Sequence, residues 1–222
     1  MEKIKIGLAA YGMSGQVFHA PFISINPHFE LYKIVERSKE LSKERYPEAT
    51  IVRNFEELVE DPDIEVIVIN TPDSTHYDYA RMALEADKNV IVEKPFTSTT
   101  EQGEELISLA AEKGLMLSVY QNRRWDADYQ TVREIISEGL LGRLVEYEST
   151  FARYRNFIKP NTWKETGKSG GGLTYNLGSH LIDQTVQLFG MPEAIFADIA
   201  TLRTNGVVDD YFMIHFLRPK FA

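Results

Sequence analysis

At 222 residues, with 33 acidic against 24 basic side chains and a formal charge of −9, the chain lacks the basic surface that a general nucleic-acid binder needs. It contains no cysteine, which excludes disulfides and thiolate chemistry and fits a reducing cytoplasm. No run approaches the roughly 18 apolar residues needed to cross a membrane, and MEKIKIGLAA enters a strand without the plan of a signal peptide, so a cytoplasmic protein is expected.

Short apolar runs predict strands at residues 3–10, 30–36, 50–54, 65–72, 89–95 and 115–122, with helical spacing at 55–61, 76–87 and 100–114. Such alternation predicts an α/β fold, a doubly wound parallel sheet covered on both faces. Right-handed crossovers place all the strand C-termini along one edge, where ligands bind in open α/β sheets. Thr71, Pro72, Lys94, Gln121 and Asn122 fall at that edge. After residue 122 the rhythm changes. The pattern predicts a helix over 126–140 closed by Gly142, a β-rich run over 143–155, and a polar, aromatic loop over 156–169. A helix over about 172–189 follows, then strands over 194–203 and 209–219 of a mostly antiparallel second sheet. The change of rhythm divides the chain into two expected domains, 1–122 and 123–222. The chain stops close after the last predicted strand, so the second domain is expected to be truncated.

Three stretches carry chemistry. The first turn, GLAAYGMSG, puts Ala10, Gly12 and Gly15 at the glycine positions of a dinucleotide turn, with Met13 and Ser14 between them. Gly12 would let backbone approach a pyrophosphate, Gly15 would allow close helix–strand packing, and the helix N-terminus offers free N–H groups. A glycine-rich turn without ligand is the competing reading. The second strand ends in Glu36, where an acid binds the ribose hydroxyls of NAD and repels the 2′-phosphate of NADP. Arg37 and Ser38 would hold that phosphate if Glu36 turns away, so the cofactor is NAD or NADP, with the acid favouring NAD.

The second stretch, NVIVEKPF, ends a buried strand in Glu93, Lys94 and Pro95. Proline fixes the chain direction after Lys94, which would hydrogen-bond and polarise a substrate hydroxyl, while Glu93 forms an ion pair that holds the turn. The third, GGLTYNLGSHLIDQT, spaces Asn176, His180 and Asp183 near one helix face, with Leu173, Leu177, Leu181 and Leu188 on another. A histidine titrating near neutrality can take a hydroxyl proton, and Asp183 could fix its tautomer. A hydrogen-bonded histidine in an interdomain seam is the bland alternative. Five histidines without close ligand spacing give no case for a metal.

Together AYGMSG, EKP at 93–95, YQNRRWD at 120–126 and GGLTYNLGSHLIDQ at 171–184 resemble the Gfo/Idh/MocA oxidoreductases, the glucose–fructose oxidoreductase and inositol dehydrogenase relatives. ARYR, the Trp163 loop and LGSHLIDQTVQLFGMP look most like the NADP-type scyllo-inositol dehydrogenases. The resemblance implies a Rossmann domain plus a C-terminal α/β domain whose open sheet makes homo-oligomers. It implies hydride transfer between NAD or NADP and a secondary hydroxyl of a small polyol, a sugar or cyclitol. By position, Lys94 matches the lysine beside nicotinamide and substrate, and His180 the histidine that shuttles the proton. Asn122, Arg123 and Trp125 match a segment near cofactor and substrate. Thr71, Pro72, His76 and Glu93 join the cofactor side; Arg153, Arg155, Trp163 and Asp183 join the substrate side. Asn176 stands where this helix often carries aspartate, and an amide orients groups but accepts no proton at neutral pH. Two other readings keep the same fold: a dinucleotide-binding regulator without turnover, and a glycosidase that uses the cofactor transiently.

Overall fold

The computed structural model describes residues 2–160, 162–166 and 171–217. The chain divides into two compact units between Tyr120 and Gln121.

The first unit is built on six strands: β1 (Ile4–Leu8), β2 (Phe29–Val35), β3 (Thr50–Val52), β4 (Val66–Ile69), β5 (Asn89–Glu93) and β6 (Leu117–Tyr120). They pair in parallel throughout, in the order β3-β2-β1-β4-β5-β6. Every residue of β4 is buried, as expected of a central strand covered on both faces. Period-two alternation then sorts the apolar side chains. Ile67, Ile69, Val90 and Val92 pack with Leu84 of α4 (His76–Glu85) and Leu106 of α5 (Thr100–Lys113). Ile6, Leu8, Val66 and Val68 face the other way, onto Ala20 and Ile23 of α1 (Ala20–Ile25). Burying each such Val, Leu or Ile contributes about 1.5–3 kcal/mol, so the two faces hold the sheet between helices. The strand order reverses between β1 and β4, which opens the ligand crevice of this topology at their C-terminal ends.

Two short helices, α2 (Ser42–Arg45) and α3 (Glu56–Val59), flank β3. The connection into β5 uses a buried lysine. Lys88 is 7% exposed and its Nζ donates to the carbonyls of Asp61 (2.6 Å) and Ile64 (2.9 Å), closing the turn that precedes β4.

The second unit holds α6 (Ala127–Ser137), α7 (Ser179–Phe189) and an antiparallel pair, β7 (Ala194–Ala200) and β8 (Tyr211–Leu217), in register from Ala194 opposite Leu217 to Ala200 opposite Tyr211. Phe212 of β8 packs against Gly178, whose absent Cβ would lie 3.3 Å from its ring. The strand predicted over 194–203 ends at Ala200; the one predicted over 209–219 is found as Tyr211–Leu217, and residues 218 and 219 lie outside the described residues. The helix predicted to reach residue 140 ends at Ser137. It is closed by Gly139, after which the Leu140 amide returns to Ile135 O, rather than by Gly142.

One expectation fails. No residue of 143–155 is in a strand. Alternation describes a half-buried strand only when a neighbouring ladder takes the backbone groups. Among the described residues β7 and β8 pair only with each other, and side chains of the run such as Val145 (70%) and Tyr154 (90%) are exposed. Among the described residues, no helix is long and apolar enough to cross a membrane.

Candidate active site

The dinucleotide turn follows β1 and is held by Asn70, a residue that no sequence motif marks. Asn70, directly after β4 and 6% exposed, accepts from the Ala10 N–H through Oδ1 (2.9 Å) and donates from Nδ2 to Ala10 O (2.8 Å). Its amide thus pairs with Ala10 as a strand neighbour would. Ser14 Oγ donates to Asn70 O (3.3 Å), which ties the far side of the turn to the same strand end. A polar residue closing the apolar run VIVI was the available signal.

Gly15 is needed for contact: a Cβ there would lie 2.4 Å from Ala10 O and 3.0 Å from Asn70 Nδ2. Gly12 is the opposite case, with nothing within 4 Å of its Cβ position, and it and Met13 are exposed. Tight packing beneath and open space above form a cradle that fits a dinucleotide pyrophosphate. The helix that follows opens with a π turn over Gly15–His19, the Ala20 amide returning to Gly15 O, before continuing as α1.

Glu36 was expected to take ribose hydroxyls. It is instead 6% exposed, and its carboxylate accepts from Leu41 N (2.9 Å), Ser42 N (2.8 Å) and Ser42 Oγ (2.5 Å). A buried carboxylate needs such donors, and the amides opening α2 supply them. Arg37 and Ser38 are exposed on the same loop. Arg53 shapes that loop by donating to Glu36 O and Lys39 O, both at 2.8 Å.

His76 was expected to contact cofactor, and the structure gives it another task. It is 1% exposed, with Nδ1 2.7 Å from Pro95 O and Nε2 3.0 Å from Thr71 O. The ring therefore joins the turns after β4 and β5, and no edge of it is left for a ligand. Thr71 Oγ1 lies 2.6 Å from Thr75 Oγ1, and Pro72 is exposed beside them. Lys94 is half-buried at the end of β5 and its peptide bond to Pro95 is cis. Glu93, expected in an ion pair, meets a histidine absent from the sequence reading: His19 Nε2 lies 2.9 Å from Oε1, while Oε2 accepts from Lys94 N (3.2 Å). The Tyr120 ring stands 4.3 Å from the His19 ring and its OH donates to Phe18 O (2.8 Å). Burial, and secondarily Glu93, push the Tyr120 phenol above its usual range.

In the second unit, α7 also opens with a π turn, Thr174–Gly178, the Ser179 amide reaching back to Thr174 O. Such turns insert a residue and are frequent at functional sites. The extra residue widens the turn between Asn176 and His180, which the simple spacing had put near one face. His180 is 5% exposed, and the half-buried Asn176 accepts from Lys164 Nζ (3.3 Å). Leu177 and Leu181 are buried as expected. Asp183, read as a partner for histidine or substrate, is committed elsewhere. Arg124 grips both its oxygens, Nε to Oδ2 at 2.8 Å and Nη2 to Oδ1 at 2.6 Å. That bidentate bond raises the Arg124 pKa further and fastens α7 to the 3₁₀ turn Asn122–Trp125.

Within that turn Arg123 pairs with Asp126 (2.7 Å), its carbonyl accepts from Gln184 Nε2 (2.8 Å), and Trp125 is 77% exposed. Arg153 is exposed, and Arg155 lies 3.9 Å from Glu165. Trp163 opens a 3₁₀ turn, Trp163–Glu165, and its side chain lies outside the described residues.

The start of α7 is held from the loop before β8. Asp209 Oδ2 accepts from Thr174 N and Thr174 Oγ1, both at 2.7 Å. Beside it, Arg203 donates to Asp210 (2.6 Å) and to both oxygens of Glu165 (3.0 and 2.8 Å). The Arg203 bonds hold the Glu165 carboxyl below its usual range, and the two acids push Arg203 up. Burial would raise Asp210, but the Leu202 amide and Arg203 outweigh it and the net shift is downward.

A Rossmann sheet with this cradle, followed by a second α/β unit, is the architecture of a dinucleotide-binding protein. Residues 4–121 match the oxidoreductase family model with an NAD-binding Rossmann fold, and residues 129–219 match the GFO/IDH/MocA C-terminal domain. The chain belongs to the Gfo/Idh/MocA oxidoreductase family. It is 42% identical to the scyllo-inositol 2-dehydrogenase (NADP(+)) IolW of Bacillus subtilis strain 168, over 96% of this chain and 59% of that relative. A crystal structure from Bacteroides fragilis NCTC 9343, described as an oxidoreductase, is 76% identical with TM-score 0.89, covering 98% of this chain and 61% of the other. The oxidoreductase yvaA structure from Bacillus subtilis is 41% identical with TM-score 0.93, covering 97% and 61%. The chain spans about three fifths of the length of these relatives.

Proposed function

We propose that this chain serves an NADP-preferring dehydrogenase that moves a hydride between the nicotinamide and a secondary hydroxyl of a sugar or cyclitol. The observation that carries the reaction is Lys94, placed where β5 ends on the sheet edge that also bears the dinucleotide turn. The similarity to an inositol dehydrogenase supports the substrate class. The cofactor preference rests on Glu36, whose engaged carboxylate leaves the exposed Arg37 and Ser38 to meet a 2′-phosphate.

In this reading the residues from Ala10 to Gly15 hold the pyrophosphate, Arg37 and Ser38 hold the 2′-phosphate, and Thr71, Pro72, Asn122 and Trp125 line the cofactor further along. Bound NADP supplies the hydride acceptor. Lys94 donates a hydrogen bond to the substrate hydroxyl oxygen and steadies the charge that develops there. His180 accepts the hydroxyl proton as the carbon–oxygen double bond forms, a contribution of about 10²–10⁴-fold. Asn176, an amide, orients rather than accepts. Arg123, Arg155 and Trp163 are the proposed substrate contacts. Residues 1–122 and 123–222 are the cofactor and substrate domains, and the exposed Ile195, Phe196 and Ile199 of β7 support a homo-oligomer through the second sheet. A cytoplasmic location completes the reading, consistent with the absence of cysteine.

The test is reduced-cofactor formation with NAD and NADP against a panel of inositols and aldoses, beside Lys94→Ala and Arg37→Ala. Turnover lost in Lys94→Ala, with Arg37→Ala weakening NADP about tenfold and sparing NAD, supports the proposal. Dinucleotide binding without reduction of either cofactor on any substrate refutes it.

A further inference from the structure

We infer that His19 is a positioning residue for Lys94, acting through Glu93, and that it fastens the helix following the dinucleotide turn to the turn that carries the lysine. The inference rests on the role proposed for Lys94.

Strand parity brings the pieces together. Val90 and Val92 face the α4 and α5 side of the sheet, while Ile91 packs with the opposite cluster, against α1. Glu93 shares the parity of Ile91, so its carboxylate is delivered to the α1 face, where the side chain is 13% exposed. A carboxylate withdrawn from water there must be met by donors. Two are present, one on each oxygen: the His19 ring at Oε1 and the Lys94 amide at Oε2.

The histidine is itself over-determined. It ends the π turn that begins at Gly15, is 4% exposed, and lies against Tyr120, the residue opposite Glu93 in the β5–β6 ladder. The Tyr120 hydroxyl holds the carbonyl of the preceding residue, Phe18. A histidine serving only to fill the core would need any acceptor. This one takes the carboxylate whose other oxygen holds the amide of Lys94, and that amide fixes the backbone from which the Lys94 side chain departs. The dinucleotide turn and Lys94 are thereby joined by one helix turn and one carboxylate.

The test uses the full chain with His19→Phe, which keeps a ring against Tyr120 and removes the donor, and His19→Gln, which restores an N–H. Amide hydrogen exchange at Lys94 is read by NMR, with Ile67 in the core of β4 as reference. Exchange at Lys94 is expected to rise about tenfold in His19→Phe and to return to near wild type in His19→Gln, with Ile67 unchanged. In turnover, His19→Phe is expected to lower kcat about tenfold at little-changed KM for NADP, again recovered by glutamine. Unchanged exchange at Lys94 in His19→Phe overturns the inference. So does a loss that glutamine does not recover, or a raised KM for NADP with kcat intact. The underlying reading fails separately: full turnover in Lys94→Ala would remove the lysine's role, whereas the exchange at its amide still reports the His19–Glu93 connection.

Discussion

Replacing Asn70 by alanine removes both bonds that clamp Ala10, the 2.9 Å bond to its N–H and the 2.8 Å bond to its carbonyl. Each neutral hydrogen bond contributes a net 0.5–1.5 kcal/mol or about that, and more when the abandoned group stays dry. Ala10 is half-buried, so water reaches the vacated groups in part and the loss comes to about 2 kcal/mol. In urea, with a slope of about 2 kcal/mol per molar, the unfolding midpoint of the first unit falls by about 1 M. The turn also loses the partner that holds its shape for a pyrophosphate, so on the proposed function the dissociation constant for NADP is expected to rise about tenfold, equivalent to 1.4 kcal/mol. Asn70→Asp sharpens the test. It keeps the acceptor for the Ala10 N–H but sets a negative charge against Ala10 O and against the phosphates, so it should weaken NADP more than alanine does. Urea melts and fluorescence titration with NADPH read both quantities. A midpoint and an affinity unchanged in Asn70→Ala would refute the reasoning.

Gly172→Ala meets a backbone at φ +92° and a Cβ 1.9 Å from Asp209 Oδ1, so Asp209 must release Thr174. The second unit is expected to lose about 2–4 kcal/mol in a urea melt, and a loss below about 0.5 kcal/mol would sink the assignment of Asp209 as the cap of this helix. Glu165 and Asp210 have depressed carboxyl pKa values. Their stabilisation is therefore complete above the unfolded values of about 4.3 and 3.9 and is lost as pH falls through the lower folded values. Arg203→Met removes the side-chain partner of two partly buried carboxylates, though the Leu202 and Arg203 amides still hold Asp210. Stability at neutral pH should drop by about 1–3 kcal/mol, and the gap from wild type should narrow as acid protonates Glu165, whereas a gap that stays the same at every pH would show that the network is inert.

The sheet was legible because each parallel strand reads as an unbroken apolar run, and VIVI at 66–69 needs burial on both faces to make sense. The positions of the glycine turn and of Lys94 at strand ends were legible for a related reason, since both break the pattern where a strand stops. The run at 143–155 misled because alternation reports which faces a strand would have, and only a neighbouring ladder decides whether the strand exists. Glu36 misled because the same acid serves a ribose or a helix N-terminus, and the choice lies in the amides of Leu41 and Ser42. His19 and Glu93 stand 74 residues apart, and nothing local marks FHAPF as the partner of EKP. Arg124 and Asp183 were hidden in the same way, brought together by folding over 59 positions.

The buried ammonium of Lys88 gives the first unit a chemical clock. Held by the carbonyls of Asp61 and Ile64, it is closed to amine-directed reagents while the turn before β4 stays shut, whereas the exposed Lys39 reacts at once. The labelling rate at Lys88 therefore counts how often that edge of the sheet opens, and a dinucleotide that tightens the β1–β4 crevice would slow the clock without touching the lysine.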